Sequence, residues 1–172
     1  IIGLFGFPMF TVARPLDNPY LDHFFNRRRG AYGLQMLEKQ GSAKEAEAML
    51  NAGTSLLVLG DQAAGDRGCW VDFFGRPAST HKAIALFGLT FEAPMVVAYA
   101  KRLNRTLDLE VGCAGSIDPE IDRNEYQGVT ELTRWYTQRL EATVRQDPQQ
   151  YWWAHRRWKG KPRVRQQKRP AA

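Results

Sequence analysis

Three groups of residues carry the side-chain types that could do chemistry on a charged substrate. The first is Arg27-Arg28-Arg29. At a helix end, cations complement the carbonyl dipole. Successive helical positions do not share a face, however, so three arginines in a row direct at least one inward. A buried guanidinium needs an anionic partner, and Asp61 is the natural candidate. The second group is Asp61-Gln62, at the tip of the apolar run Ser55–Leu59 and beside Gly60, Gly65 and Gly68. Glycines there permit close approach of a ligand to the backbone. The third is the stretch Tyr151 to Lys159, in which aromatics alternate with His155, Arg156, Arg157 and Lys159. Such a pattern suits base stacking on nucleic acid. It equally suits a membrane interface, where Trp and Tyr sit at headgroup depth and cations meet phosphate. The bland alternative is a terminal segment packing its rings onto the core.

No histidine reads as the base of a catalytic pair. His23, His81 and His155 are followed by aromatic, apolar or basic residues, and no acid stands four to six positions after any of them. A general base needs an orienting partner within hydrogen-bond reach, although that partner can be distant in sequence. No nucleophile elbow, P-loop, dinucleotide fingerprint or HExxH motif occurs. Cys69 and Cys113 are isolated, with no CxxC and no neighbouring histidine pair. A disulfide framework and a zinc site are therefore not expected. No metal and no other cofactor is called for.

The elements that must position these groups follow from local pattern. Met9–Ala13 reads as a buried strand stopped by Arg14-Pro15. Asp17-Asn18-Pro19 opens a helix reaching about Arg29, ahead of Gly30 and Gly33. Leu34–Leu37 is a short strand. Ser42 and Glu45 form a capping box for a helix over Ala43–Asn51, with Gly53 placed to end it. Ser55–Leu59 reads as a strand buried on both faces, followed by a glycine-punctuated loop, then Trp70 to Phe74 and Gly75-Arg76-Pro77. A helix is predicted over Ala78–Leu89, with Ser79 placed to cap it. Pro94–Tyr99 reads as a buried strand ending near Arg102, and Thr106–Val111 alternates like a half-exposed edge strand. Gly128–Arg145 has helical periodicity. This order predicts an α/β layered domain, a largely parallel sheet flanked by helices. Ligands in such sheets sit off the carboxyl ends of strands. Arg14, Asp61-Gln62 and Arg102 all fall just past expected strand ends.

The chain has 172 residues, 44% of them hydrophobic, enough for one domain with a sizeable core. Its start, Ile1 to Pro8, is apolar and uncapped and reads as mid-structure, so a piece of a longer protein is expected. That run is too short for a membrane span and lacks the basic start of a signal peptide. Net charge is +6, concentrated at Arg27–Arg29 and in a tail rich in Lys and Arg after Tyr151. The surface should attract anionic partners. Residues 163–172 are expected to form a flexible basic tail.

Five blocks carry a resemblance to a known family. Arg14-Pro15-Leu16-Asp17-Asn18-Pro19-Tyr20-Leu21-Asp22 resembles the YRPxxNPxLD segment of bacterial lipid A biosynthesis lauroyl/myristoyl acyltransferases, members of the lysophospholipid acyltransferase superfamily. Arg29 and Gly33 fall at that family's RxxxG. Asp61-Gln62 is similar to its DQ block, and Val71 to Thr80 to its VxFFGxPAxT block. Pro148 to Lys159 is similar to the closing PxQYxWxHRRxK. The blocks occur in the family's order and cover Arg14 to Pro162, which places an acyltransferase domain over 1–162 with a glycerolipid acyltransferase-like fold.

The resemblance implies acyl transfer from an acyl carrier protein thioester to a hydroxyl of a membrane glycolipid such as a lipid A precursor. The location implied is the cytoplasmic face of the bacterial inner membrane, on an anionic membrane surface. In this family a histidine followed four or five residues later by an acid is the general base. That motif is expected upstream of Arg14, before Ile1. Within this chain the resemblance assigns supporting catalytic roles to Arg29 and Asp61: Arg29 binds or orients charge at the reacting centre, and Asp61 holds Arg29 or the histidine. Substrate-binding roles fall to Arg14, Arg28, Gln62, Arg76, Arg102, His155, Arg156 and Arg157. The last three either meet lipid headgroups or pack structurally. Two other readings stand beside this one: a membrane-binding relative without catalysis, and a basic nucleic-acid-binding module. The second has no RRM, KH or helix-turn-helix signature behind it, so nucleic acid is not expected as a partner.

Overall fold

The computed structural model describes residues 6–38, 43–104, 106, 108–118, 121, 122, 126 and 128–162. Ser42 of the expected capping box and the basic tail at 163–172 lie outside the described residues. The chain divides into two compact units, Ile1–Leu59 and Gly60–Ala172.

The first unit is a small parallel α/β layer. Its elements are β1 (Met9–Ala13), α1 (Pro19–Ala31), β2 (Leu34–Glu38), α2 (Ala43–Asn51) and β3 (Ser55–Leu56). The sheet order is β2-β1-β3. β1 pairs parallel to both neighbours, with Met9 opposite Leu34 on one side and Ser55 on the other. Phe10, Leu37 and Ala46 are buried together, with Val12, Met49, Leu50 and Leu56 packed round them. The Asn18 side chain caps α1 by accepting from the N–H groups of Tyr20 and Leu21, and Pro19 needs no hydrogen bond at that position. α2 ends where the Gly53 N–H donates to Leu50 O and the Thr54 N–H to Met49 O, each at 2.9 Å. Gly53 sits at φ 79°, the left-handed conformation this terminus requires.

Two expectations fail in this unit. Arg27, Arg28 and Arg29 are all exposed, so none of the three turns inward. Ser55–Leu59 is not a strand buried on both faces. The ladder with β1 ends at Phe10 opposite Leu56, followed by one further bond from Leu57 N–H to Phe10 O. The chain then leaves the sheet, and Leu59 is 68% exposed.

The second unit holds two antiparallel pairs against a long helix. β4 (Cys69–Phe73) and β5 (Arg76–Thr80) form a hairpin, and β6 (Met95–Arg102) pairs with β7 (Leu109–Ile117). Between them lies α3 (Lys82–Thr90), and α4 (Val129–Gln146) follows. The core joins Ala85, Val97, Ile117, Leu132, Trp135 and Tyr136. The periodicity of Gly128–Arg145 therefore does face a core, through Leu132, Trp135 and Tyr136. The α/β class holds. Its parallel ladder is that of the first unit, while the described strands of the second pair antiparallel.

Two expected elements change here. Ala78, Ser79 and Thr80 finish a strand instead of opening a helix. Phe73 and Arg76 are ladder partners across the two-residue loop Phe74-Gly75. Both loop residues have positive φ, 54° and 69°, the type I′ geometry that suits a tight hairpin. Ser79 does not cap α3. It is buried, and its hydroxyl donates to Gly65 O. α3 starts at Lys82 behind His81. The edge strand is also displaced and longer, Leu109–Ile117, and Pro94–Tyr99 extends to Arg102 with alternating exposure. β6 is a half-buried antiparallel strand because it pairs with β7 along its whole length.

Candidate functional site

Arg14, Arg28 and Arg29 belong to the first unit. Arg14 follows the last residue of β1, off the carboxyl end of a parallel strand, and is exposed. Arg28 and Arg29 close α1, exposed, with their guanidinium groups 5.2 Å and 5.9 Å from the ring centres of Phe24 and Phe25. Those rings and the carbonyl end of the helix both favour cations.

Asp61, Gln62, Arg76, Arg102, His155, Arg156 and Arg157 belong to the second unit, and most of them converge on one arrangement. The closing segment, Tyr151 to Lys159, fastens three parts of that unit. The Tyr151 hydroxyl donates to Asp61 O at 3.4 Å. The Ala63 N–H donates to His155 Nε2 at 2.9 Å. Together these hold the turn Gly60–Ala64 on either side of Gln62. An Nε2 that accepts leaves the ring proton of neutral His155 on Nδ1. Gly60 itself lies where a Cβ would stand 3.3 Å from Tyr136 and Leu140 of α4, which draws the turn against the core.

Arg157 reaches into β5. Its NH1 donates to Ser79 O at 2.6 Å and its NH2 to Thr80 Oγ1 at 2.7 Å. The guanidinium also lies 5.1 Å from the Phe73 ring centre. The residue is only 1% exposed, and its Nε has no hydrogen-bond partner among the described residues. Burial lowers the pKa of this guanidinium, while Tyr151, Tyr136 and Asp61 nearby raise it. Of the two roles open to Arg157 from sequence, headgroup contact and packing, the structure supplies packing.

Trp158 donates its ring N–H to Phe73 O at 3.1 Å, and Arg76 sits over its ring at 5.1 Å. Just before this segment, Gln150 clamps the end of β6. Arg102 N–H donates to Gln150 Oε1 at 2.6 Å, and Gln150 Nε2 donates to Arg102 O at 2.8 Å. The Arg102 side chain is exposed, as are Gln62, Arg76 and Arg156. Those four are free to meet a ligand. The visible functions of His155 and Arg157 are internal.

Sequence reasoning missed several partners. Tyr136 donates its hydroxyl to His81 O at 2.9 Å, and burial pushes its pKa well up. Burial and then the Asp61 carboxylate push Tyr151 up. Phe74 is held in its left-handed conformation by Glu141, which accepts its N–H at 2.6 Å. Arg145 stacks over Phe74 at 4.6 Å and pairs with the same carboxylate. Only the i,i+4 spacing of Glu141 and Arg145 was a usable sequence signal.

Among the described residues no group of three or more His, Cys, Asp or Glu could hold a metal ion. No helix among them is long and apolar enough to cross a membrane. The model of the family "Bacterial lipid A biosynthesis acyltransferase" matches residues 5–160. The chain belongs to this family. No curated protein matches it. Family membership makes acyl transfer the general activity and lipid A biosynthesis its setting. The family blocks then acquire a structural meaning: in this acyltransferase the closing PxQYxWxHRRxK-like block is what braces the DQ turn, β4, β5 and the end of β6.

Proposed function

We propose that this acyltransferase moves a fatty acyl chain from an acyl carrier protein thioester to a hydroxyl of a membrane glycolipid, at the cytoplasmic face of the bacterial inner membrane. The observation that carries the reading is the family match over 5–160. In the reaction the acceptor oxygen bonds to the thioester carbonyl carbon and the C–S bond breaks. The hydroxyl proton passes to a base and finally to the leaving thiolate. Negative charge develops on the carbonyl oxygen in between and needs fixed donors or cations.

Arg29 is proposed to bind or orient that charge, and Asp61 to hold the general-base histidine of the family. Asp61 is half-buried on a turn whose backbone is pinned at Asp61 O by Tyr151 and at the Ala63 N–H by His155. A carboxylate held on a pinned turn can orient a neighbour with little reorganisation. Gln62, Arg14, Arg28, Arg76, Arg102 and Arg156 are proposed to meet the phosphates of the glycolipid or of the carrier's pantetheine arm, as exposed guanidinium groups do well. Within the second unit, His155 and Arg157 support the turn that carries Gln62 and the strand that carries Arg76.

The test is turnover with acyl carrier protein thioester and a purified lipid A precursor, read by mass spectrometry of the lipid. Arg29→Ala and Asp61→Asn should each lower kcat with an unchanged melting temperature. Full turnover in both variants would remove these residues from the site. No acylated glycolipid from the parent protein would overturn the donor and acceptor.

A further inference from the structure

Helix α1 is built with its polar side toward the protein. None of its residues is buried. At about 100° per residue, Tyr20, Phe24, Leu21 and Phe25 occupy one continuous arc of about 140°. All four are exposed, and Tyr20 is 85% accessible. Asp22 and Asn26 lie on the opposite arc and are the half-buried pair. Asn26 Nδ2 donates to Asp22 Oδ2 at 2.9 Å, and Leu16 N–H donates to Asp22 Oδ1 at 2.9 Å. Ordinary surface helices show the reverse pattern, apolar side in and charged side out.

The charges on this helix are equally one-sided. Its only carboxylate, Asp22, is the one turned inward. Arg27, Arg28 and Arg29 are all exposed on its last turns, and exposed Arg14 lies in the segment leading into it. Asp17, also exposed, is the one acid beside its start. Arg28 and Arg29 fold back over Phe24 and Phe25, so apolar rings and cations form one surface. Two leucine-sized or aromatic pairs bordered by arginines match the chemistry of an anionic bilayer surface. Rings enter the acyl boundary while guanidinium groups remain at the phosphates.

We infer that α1 is an interfacial helix that seats the Tyr20-Leu21-Phe24-Phe25 face of the first unit on an anionic phospholipid surface. The inference deepens the membrane location proposed above and rests on it, but not on acyl transfer. It would be tested by co-sedimentation of the whole chain with vesicles of phosphatidylglycerol and phosphatidylethanolamine, against vesicles of phosphatidylcholine alone. Hydrogen exchange over residues 19–31 is measured in parallel.

The parent should bind the anionic vesicles, more weakly as salt rises, with slowed exchange over 19–31. Leu21→Gln/Phe24→Gln/Phe25→Gln should bind on the order of tenfold or more weakly, since the apolar area it removes drives insertion. Arg27→Gln should cost about fivefold, the equivalent of ~1 kcal/mol per basic residue at an anionic surface. Substitutions at exposed positions should leave the circular dichroism spectrum intact. Parent-like binding by the Gln variant would overturn the role of α1 and leave the membrane location standing. No binding by the parent would overturn both. A parent dimer that the Gln variant converts to monomer would assign the face to a second copy and overturn the inference.

Discussion

Arg157 offers a sharp test, because its burial and its partners make different substitutions diverge. The side chain is 1% exposed and makes two short hydrogen bonds, to Ser79 O at 2.6 Å and Thr80 Oγ1 at 2.7 Å. Bonds to a charged donor contribute ~1.5–3 kcal/mol each, and a desolvated cation over a ring adds up to ~2 kcal/mol. Against this stands the cost of taking the guanidinium out of water, several kcal/mol. The two sums nearly cancel.

What remains after removal decides the outcome. Ser79 O also accepts the Ala64 N–H at 3.1 Å, and the Thr80 hydroxyl donates to Ala78 O at 3.1 Å. Neither partner is orphaned, and no ion pair to Arg157 exists among the described residues. Arg157→Met should therefore fall within ~1.5 kcal/mol of the parent, since Met fills much of the space without a charge. Arg157→Ala should lose ~3–4 kcal/mol, because a side chain of this size leaves a cavity. Arg157→Lys should also lose ~3 kcal/mol or more, placing a compact ammonium where it cannot make both bonds. All five tryptophans lie beyond Gly60, so tryptophan fluorescence in urea reports the second unit. With a slope of ~2 kcal/mol per molar urea, Ala should move the midpoint by ~1.5–2 M and Met by less than ~0.75 M. A lysine variant as stable as the parent, or a methionine variant as damaged as alanine, would refute the reasoning.

Two further predictions concern the same unit. His155→Phe removes the acceptor for the Ala63 N–H, so exchange of that amide should speed up about fivefold, as a lost bond of ~1 kcal/mol requires. His155→Gln, which offers an oxygen at similar reach, should restore most of the protection. On β7, hydrogen bonds from Lys101 and then from Tyr99 hold the Glu110 carboxyl below its ordinary value. A depressed carboxylate adds stability that is fully present above its unfolded value and disappears as pH falls through the folded one. The melting temperature of the parent should thus drop more steeply below pH 4.5 than that of Glu110→Gln; equal slopes would show that the pair contributes nothing.

The first unit was largely legible from its sequence, and the second only in part, for reasons visible in single residues. Met9–Ala13, Leu34–Glu38 and Ala43–Asn51 carry their own punctuation. Asn18-Pro19 opens a helix through side-chain capping, and Gly53 closes one through its left-handed backbone. Such signals act between residues a few positions apart. The β4–β5 hairpin depends on distant ones. Ala78-Ser79-Thr80 resembles a helix start because Ser is a good cap, yet the hydroxyl of Ser79 is satisfied by Gly65 and its carbonyl by Arg157, residues 14 and 78 positions away. Phe74 would not ordinarily be chosen for the left-handed corner of a tight turn. Glu141, 67 positions on, accepts its N–H there.

The same physics explains the uneven reading of the site. Residue type identified His155 and Arg157 as important, because cations among aromatics are costly to place without purpose. It did not say which way they face. An arginine at a membrane and an arginine bonded to a buried strand have the same local sequence, and only the partner distinguishes them. Asp61 illustrates the converse. Its position beside Gln62 among glycines pointed to close approach of a ligand, and Tyr151 and His155 fix the backbone there, at Asp61 O and at the Ala63 N–H. A pinned turn is the better support for a carboxylate that must orient a neighbour, because the ordering entropy is spent in folding and not at each turnover. The closing block therefore contributes to the proposed reaction by stiffness, even where none of its buried atoms can reach a substrate.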